Sequence, residues 1–256
     1  MRENRLGHTE PELATSFDLK DLRPVAGRMA VAAAVIGMAV LWPFATLLDT
    51  TATGTAIATA LYVCATVAVV VLANRFYAYD RVGTANLITL LRLAMIMALV
   101  ATLFSPPLLR DPTSAWVISS FALVALVFDG FDGFFARRQG LSSAYGARFD
   151  IEVDSAFALI LSVMVFLAGK AGIWVLALGL PRYLFIGAGL VLPWLMAELP
   201  ERFSRKLVCV IQVGALIGLA SPLGAHPASW WVAVCVSAMV VWSFLVDIIW
   251  LARHKS

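Results

Sequence analysis

The sequence predicts an all-α membrane protein with several helices that cross the bilayer, and three observations carry this prediction. Of the 256 residues, 61% are hydrophobic and 14% are charged, whereas soluble domains have an apolar content nearer to half. The mean hydropathy is +0.89. Apolar stretches of about 20 residues recur along the chain, and that length of helix crosses a hydrocarbon core of about 30 Å. Helices satisfy their own backbone hydrogen bonds, which the bilayer requires.

The positions of the apolar stretches predict the domain organisation. We predict eight spans, at residues 29–48, 54–73, 86–105, 114–137, 148–169, 172–196, 205–221 and 229–252. Residues 1–28 are polar and mixed in charge, and we expect a cytoplasmic tail there. No small-residue cleavage pattern follows the first apolar run, so we expect it to remain as a span. A polar segment at 74–85 then separates an added hairpin, 29–73, from a six-helix domain, 74–256.

The distribution of charge predicts the orientation. With the N-terminus inside, fifteen lysines and arginines lie on the cytoplasmic side and only Arg110 and Lys170 lie outside. This positive-inside bias predicts a multi-pass protein of the cell (inner) membrane with both termini in the cytoplasm. The net charge of +3 gives no reason to expect nucleic acid as a partner. The three cysteines have no paired spacing, so we expect neither disulfides nor a zinc site, but small buried residues.

One stretch, DGFDGFFARRQGLSSAYGARFDIEVD, is acidic within this apolar chain. Asp129 and Asp132 are three residues apart, and Asp150 and Asp154 are four apart, so each pair shares one face of a helix. A turn around 139–146 would make the two helices antiparallel neighbours. We therefore expect four carboxylates to converge between two helices at the cytoplasmic surface.

Four carboxylates in a low-dielectric site cannot all ionise unless a cation lies among them. Oxygen ligands suit Mg²⁺ or Mn²⁺. Four carboxylates can hold two such ions about 3.5–4 Å apart, an arrangement used for displacement at phosphorus. Gly133 and Gly146 would let a ligand approach the backbone, and Arg137 could hold a phosphate through two hydrogen bonds.

A structural interpretation competes with the metal site. The acids could be interfacial charges paired with Arg137, Arg138 and Arg148. This alternative does not explain the spacings of three and four on two adjacent helices, each with a glycine nearby. Glu152 lies on the opposite helical face from Asp150, and we interpret it as such a surface charge.

The acidic stretch resembles the signature of the class I CDP-alcohol phosphotransferases, D-x2-D-G-x2-A-R-x8-G-x3-D-x3-D. All eight fixed positions match, at Asp129, Asp132, Gly133, Ala136, Arg137, Gly146, Asp150 and Asp154. The resemblance implies that Asp129, Asp132 and Asp150 ligate a first metal ion and that Asp129, Asp150 and Asp154 ligate a second. It also implies that Asp154 is the general base and that Gly133, Arg137, Ser143 and Gly146 bind the CDP-linked donor.

Further segments extend the resemblance. NLIT, with Asn86 and Thr89, is similar to the family's N-x-x-T, which lines the nucleotide pocket, and it precedes an L-x-R that ends here at Arg92. For Arg92 a phosphate contact and a structural counter-charge stay open. RKLVCVIQ retains Lys206 and Gln212 of a family pattern for glycerol phosphate acceptors, G-K-x-K-T-x-x-Q. Arg182 lies in a span where relatives have an acceptor-binding arginine, so Arg182 and Lys206 are candidate acceptor residues.

The resemblance implies a phospholipid-synthesis enzyme of the membrane. It would transfer a phosphatidyl group from CDP-diacylglycerol to an alcohol acceptor, small or lipid, and release CMP with the help of two Mg²⁺ or Mn²⁺ ions. The lipid bilayer is then a partner, and a homodimer is compatible with the family.

Three other functions stay open at this point. A CDP-linked polar head group could be transferred to diacylglycerol, and the motif does not separate this reaction from the first. A divalent-cation transporter would need ionisable residues along a path across the membrane, and the outer halves of the predicted spans have almost none. A non-enzymatic relative is disfavoured because every motif residue is present.

Overall fold

A computed structural model describes residues 23–139, 143–197, 203–224 and 227–253, without the side chains of 131–139, 144, 196 and 203. The predicted tail at 1–28 therefore lies almost wholly outside the described residues. Within these ranges all regular elements are helical, so the all-α prediction is confirmed. The α-helices are α1 Pro24–Leu47, α2 Ala52–Phe76, α3 Thr84–Leu103, α4 Pro106–Arg110, α5 Pro112–Gln139, α6 Ala144–Leu167, α7 Pro181–Val191, α8 Phe203–Ala220 and α9 Ala228–Arg253.

The prediction of a polytopic membrane protein is also confirmed. Among the described residues, five helices are long and apolar enough to cross a membrane, namely α1, α2, α3, α5 as far as Gly130, and α9. Helices α6 and α8 are also long, with 24 and 18 residues, but charged residues lie near their starts. On α1, exposed Val31, Val35, Met38 and Trp42 recur at intervals of three or four. That interval produces one apolar face, as expected for a helix that contacts lipid.

The predicted sixth span, 172–196, is wrong as a single helix. The chain forms a 3₁₀ helix at Ile173–Leu178, the short helix α7, and a second 3₁₀ turn at Pro193–Met196. Proline has no N–H and restricts the residue before it, so Pro181 and Pro193 prevent a continuous helix. The carbonyl of Leu178 accepts a hydrogen bond from the Nε2 amide of Gln212 on α8. A carbonyl released by the break is thus satisfied within the protein.

Helix α3 lies at the centre of the bundle. Fourteen of its twenty residues are buried, which is expected of a helix that is apolar on all sides. It packs against α1, α2, α5 and α6, and α8 packs against α5 and α6 on the other side. Polar residues on α3 are therefore held inside the protein, where a buried polar group needs a partner.

Short polar caps begin the helices that surround α3. The Thr51 hydroxyl accepts a hydrogen bond from the Gly54 N–H at the start of α2, and the Asp111 carboxylate accepts one from the Ser114 N–H at the start of α5. Hydrogen bonds from Ser114 hold the pKa of Asp111 below its ordinary value. These side chains satisfy N–H groups that a helix leaves without a partner in its first turn.

The prediction that the cysteines are buried is wrong for two of them. Cys64 on α2 and Cys235 on α9 are exposed on the described surface, and Cys209 on α8 is half-buried. In a bilayer, an exposed thiol on an apolar helix contacts lipid, so exposure carries little penalty there.

Candidate active site

Three of the four predicted carboxylates lie together. Asp129 is on α5, Asp150 and Asp154 are on α6, and one oxygen of each lies within 4.8 Å of the other two. Asp132 lies on the same helix as Asp129, but its side chain is outside the described residues. The spacing of four explains why Asp150 and Asp154 share a face, and the fold brings that face to Asp129.

The expected arrangement between two adjacent helices needs correction. Over the described residues, α5 and α6 pack mainly against α3 and α8, which lie between them. The carboxylates therefore converge on α3 and not simply on each other. Helix α3 contacts both α5 and α6, and the turn that joins these two helices includes residues 140–142, which lie outside the described residues. Local spacing gives the faces of α5 and α6, and it contains no information about a helix that begins 45 residues before Asp129.

Arg92 of α3 is the side chain on which the carboxylates converge. Its side chain is only 1% exposed. Nη2 lies 2.6 Å from the Asp129 Oδ1 and also contacts the Asp154 Oδ1, and Nη1 lies 2.6 Å from the Asp150 Oδ1. Of the two interpretations of Arg92, these contacts support the structural counter-charge. The sequence contained a signal, because Asn86, Thr89 and Arg92 recur every three residues within an apolar helix.

The charges of this cluster do not cancel. When fully ionised, the three carboxylates exceed the single guanidinium by two negative charges, and Asp132 adds a further acid to α5. Buried charges are costly unless they are paired, so the cluster favours an additional cation. The positive charge of Arg92 neutralises part of the negative charge for which the sequence predicted a cation.

The cluster fits a divalent cation. Its donors are carboxylate oxygens, the type that Mg²⁺ and Mn²⁺ prefer. The contacts with Arg92 use the Oδ1 atom of each carboxylate, and each carboxylate carries a second oxygen. Asp129, Asp150 and Asp154 could thus hold an ion while Arg92 keeps them in place.

Three of the predicted donor-binding residues also lie together, beside the carboxylates along α6. Ser143 precedes α6, and its hydroxyl accepts a hydrogen bond of 3.0 Å from the Gly146 N–H. A Cβ atom added at Gly146 would lie 3.2 Å from the Ser143 Oγ and 3.3 Å from the Asn86 Oδ1. Both distances are shorter than ordinary van der Waals contact, so Gly146 allows the start of α6 to approach α3 closely.

The other predicted donor-binding residues are less defined. Thr89 is buried on α3, and its hydroxyl donates a hydrogen bond of 3.0 Å to the Ala85 carbonyl of the same helix. Gly133 and Arg137 lie in the described backbone of α5, and the side chain of Arg137 is outside the described residues.

One of the two candidate acceptor residues is paired with an acid outside the carboxylate cluster. Arg182, at the start of α7, contacts both carboxylate oxygens of Glu152 through Nε and Nη2. Glu152 is two residues from both Asp150 and Asp154, and two residues rotate a helix by about 200°, so this pair lies on another face of α6. Glu152 is therefore the partner of Arg182. Lys206 is exposed near the start of α8.

Cys209 is a residue of this site that sequence reasoning missed. It lines a small cavity together with Arg92, Asp129 and Asp154, and the remaining walls are apolar side chains of α5, α6 and α8. The sequence feature that could have identified it is the family pattern G-K-x-K-T-x-x-Q on α8, in which Cys209 replaces the threonine.

The fold and the cluster define a polytopic membrane protein with an acidic site among its helices. A family model for the CDP-alcohol phosphatidyltransferases matches residues 82–242. The chain therefore belongs to the CDP-alcohol phosphatidyltransferase family, a family of transferases, which confirms the resemblance of the acidic motif.

A curated relative supports the same family. The chain is 31% identical over 147 residues to a "CDP-diacylglycerol--serine O-phosphatidyltransferase" of Encephalitozoon cuniculi (strain GB-M1), a match that covers 56% of this chain. The match spans only 37% of the length of that relative. No solved structure matches the chain.

Proposed function

We propose that this protein transfers a phosphatidyl group from CDP-diacylglycerol to the hydroxyl of an alcohol acceptor, with release of CMP. The observation that carries the proposal is the convergence of Asp129, Asp150 and Asp154 on the buried Arg92, in a chain of this family. The curated relative, which is named for CDP-diacylglycerol and serine, supports this donor.

Divalent cations have a defined place in this proposal. Asp129, Asp132, Asp150 and Asp154 would hold two Mg²⁺ or Mn²⁺ ions, which would neutralise the diphosphate and polarise the bond to the phosphorus that is attacked. Arg92 keeps the described carboxylates in position by ion pairs with all three. The described partner of these carboxylates is Arg92. The alternative of interfacial acids pairs them with Arg137, Arg138 and Arg148, and the side chains of Arg137 and Arg138 lie outside the described residues.

The protein's own groups then divide the reaction between them. Asp154 accepts the proton of the acceptor hydroxyl. The acceptor oxygen forms a bond to the phosphorus of the phosphatidyl group, and the bond from that phosphorus to the bridging oxygen of the diphosphate breaks, so CMP leaves. Asn86, Thr89, Gly133, Arg137, Ser143 and Gly146 bind the cytidine diphosphate part of the donor.

We further propose that Arg182 and Lys206 bind the acceptor. Arg182 is 30% exposed and already holds a carboxylate, that of Glu152, so it has the geometry to hold an anionic group of an acceptor. Arg182→Ala and Lys206→Ala should each raise the acceptor KM more than the donor KM, by about tenfold for a lost charge-assisted hydrogen bond. Steady-state kinetics with both substrates varied measures this. An unchanged acceptor KM would remove both residues from the acceptor site.

The membrane arrangement follows the same proposal. The positive-inside bias supports a cytoplasmic site in the cell membrane. A lipid donor would enter from the bilayer and a polar acceptor from the cytoplasm. Residues 74–256 would form the catalytic domain, and 29–73 would be an added hairpin.

The test of the proposal is a CMP-release assay with the purified full chain. Mg²⁺ or Mn²⁺ and CDP-diacylglycerol are supplied with one acceptor at a time, from glycerol 3-phosphate, inositol phosphate, inositol, serine and phosphatidylglycerol. CMP release that depends on one of these acceptors is the expected result. CMP release only from a CDP-linked head group with added diacylglycerol would contradict the proposed direction of transfer.

A further inference from the structure

The start of α6 is attached to the hairpin α1–α2 by a side chain within the predicted donor-binding turn. Tyr145 lies between Ser143 and Gly146 and is 9% exposed. Its hydroxyl donates a hydrogen bond of 2.8 Å to the carbonyl oxygen of Val69, which belongs to α2. The bond joins residues 76 positions apart in the chain. The turn and the hairpin are therefore fixed relative to each other at this point.

A second tyrosine extends this attachment to the start of α3. Tyr77 directly follows α2, is fully buried, and packs edge-to-face on Tyr145 with ring centroids 5.7 Å apart. Its hydroxyl donates a hydrogen bond of 3.0 Å to the Arg81 carbonyl and accepts one of 3.3 Å from the Gly83 N–H. Gly83 immediately precedes α3. The segment that leads from the hairpin to Asn86 is thus held by the ring that contacts Tyr145.

The first helix of the hairpin is joined to the same point. The Arg23 backbone N–H donates a hydrogen bond of 2.8 Å to the Asn74 Oδ1, and the Arg23 guanidinium donates one of 2.5 Å to the Tyr77 carbonyl. Arg23 also contacts Asp80 at 3.1 Å. Both helices of the hairpin and the connection to α3 therefore converge on Tyr77 and, through it, on Tyr145.

We propose that the hairpin α1–α2 positions the donor-binding turn, and that Tyr145 is the positioning residue through which it acts. The inference rests on the proposed function, because it concerns the turn in which Ser143, Gly146 and the facing Asn86 would bind the CDP moiety. A turn held in its binding conformation loses less entropy when the ligand binds. The hydroxyl of Tyr145 acts through the turn and need not touch the nucleotide.

Tyr145→Phe tests the inference, because it removes the hydroxyl and keeps the ring against Tyr77. Tyr62→Phe is the matched control. Tyr62 is also buried, and its hydroxyl donates a hydrogen bond of 2.7 Å to the Ala33 carbonyl, but this bond joins α2 to α1 only. Each variant thus loses one hydrogen bond from a tyrosine hydroxyl to a helix carbonyl. Only the bond lost in Tyr145→Phe joins α6 to the hairpin.

The measurements are the KM for CDP-diacylglycerol, kcat, and the affinity of the full-length protein for CMP. We expect Tyr145→Phe to raise the donor KM and the CMP Kd about 3- to 10-fold, the factor for one lost neutral hydrogen bond, with kcat within twofold. Tyr62→Phe should leave both within twofold. Hydrogen exchange at residues 144–149 should be faster in Tyr145→Phe than in Tyr62→Phe.

Tyr77→Phe should also raise the donor KM and the CMP Kd, and it replaces Tyr145→Phe in the test if Tyr145→Phe does not fold.

The outcomes separate this inference from the proposed function. A wild-type protein that releases CMP, with Tyr145→Phe equal to Tyr62→Phe in donor KM and in exchange, overturns the inference alone. A wild-type protein that neither binds CMP nor releases it from CDP-diacylglycerol overturns the proposed function and the inference together.

Discussion

At the scale of single residues, the site combines a buried guanidinium with three half-buried carboxylates. The intervals of three and four along the acidic stretch predict which carboxylates face the same way, and Asp129, Asp150 and Asp154 do lie together. The role of Arg92 could not be derived from those intervals, because Arg92 is 58 residues from Asp150 and reaches it only through the fold. The number of acids indicated that a positive charge was needed beside them. It could not show whether an arginine side chain or a bound metal ion supplies that charge.

The proposed role of Asp154 predicts the effect of removing its charge. Asp154→Asn should lower the rate of CMP release by about 10²–10⁴-fold, because an amide cannot accept the acceptor's proton. Donor binding should persist, because Ser143, Gly146 and Asn86 do not depend on that carboxylate. The rate and the CMP affinity of the purified variant measure this.

The matched control for Asp154→Asn is Asp49→Asn. Asp49 is an exposed acid between α1 and α2 with a φ of 49°, a conformation that asparagine also adopts. It should retain wild-type activity. Glu152→Gln is unsuitable as a control because Glu152 holds Arg182. Equal activity of Asp154→Asn and Asp49→Asn would show that the proton acceptor has been wrongly assigned.

Arg92→Met tests the charge balance directly. Without the buried guanidinium, three half-buried carboxylates face one another, so the variant should lose about 3–5 kcal/mol of stability in chelator. Divalent cation should then raise its Tm more than it raises that of the wild type. Thermal unfolding with EDTA and with Mg²⁺ measures both effects.

Arg110→Met is the control for Arg92→Met. Arg110 is exposed and donates a hydrogen bond of 3.3 Å to the carbonyl of Leu167, the last residue of α6, and this contact is separate from the cluster near the start of that helix. Its loss should change the Tm little and leave the gain from Mg²⁺ unaltered. The charge account would be refuted if the two arginine variants gained the same Tm from Mg²⁺.

At the scale of elements, hydropathy predicted the long helices within a few residues of their bounds. The span predicted at 86–105 is α3, Thr84–Leu103, and that at 229–252 is α9, Ala228–Arg253. The prediction of one helix at 172–196 was wrong because hydropathy contains no information about backbone geometry. Pro181 and Pro193 were visible in the sequence and interrupt the helix there.

Helix packing predicts opposite effects of alanine substitution at two glycines, one on α2 and one on α8. A Cβ added at Gly54 would lie 2.5 Å from the Ala101 carbonyl and 3.0 Å from the Phe104 Cβ, so Gly54→Ala should destabilise the fold by about 1–3 kcal/mol. A Cβ at Gly214 on α8 would meet nothing within 4 Å, so Gly214→Ala should stabilise by about 0.4–1 kcal/mol. Denaturation of both variants in the same detergent measures the difference. Comparable stabilities would mean that α2 does not approach α3 so closely.

At the scale of the whole molecule, the central helix of an apolar bundle carries several of its buried polar side chains. α3 is surrounded by α1, α2, α5 and α6. Its buried Arg92 contacts carboxylates of the acidic stretch, and its buried Asn86 lies beside Gly146 at the start of α6. The sequence predicted a membrane protein of this family, since composition and motif suffice for both. It could not predict that the hairpin packs on α3, because apolar helices carry little information about their neighbours.

The central claim is that the carboxylate cluster works with divalent cations in transfer from CDP-diacylglycerol. The most direct measurement is CMP release by the purified protein after removal of metal with EDTA, and again after addition of Mg²⁺ or Mn²⁺. We predict that release stops in EDTA and returns with the ion, because the excess negative charge of the cluster needs a cation to act on a diphosphate. CMP release that continues undiminished after metal removal would contradict the account.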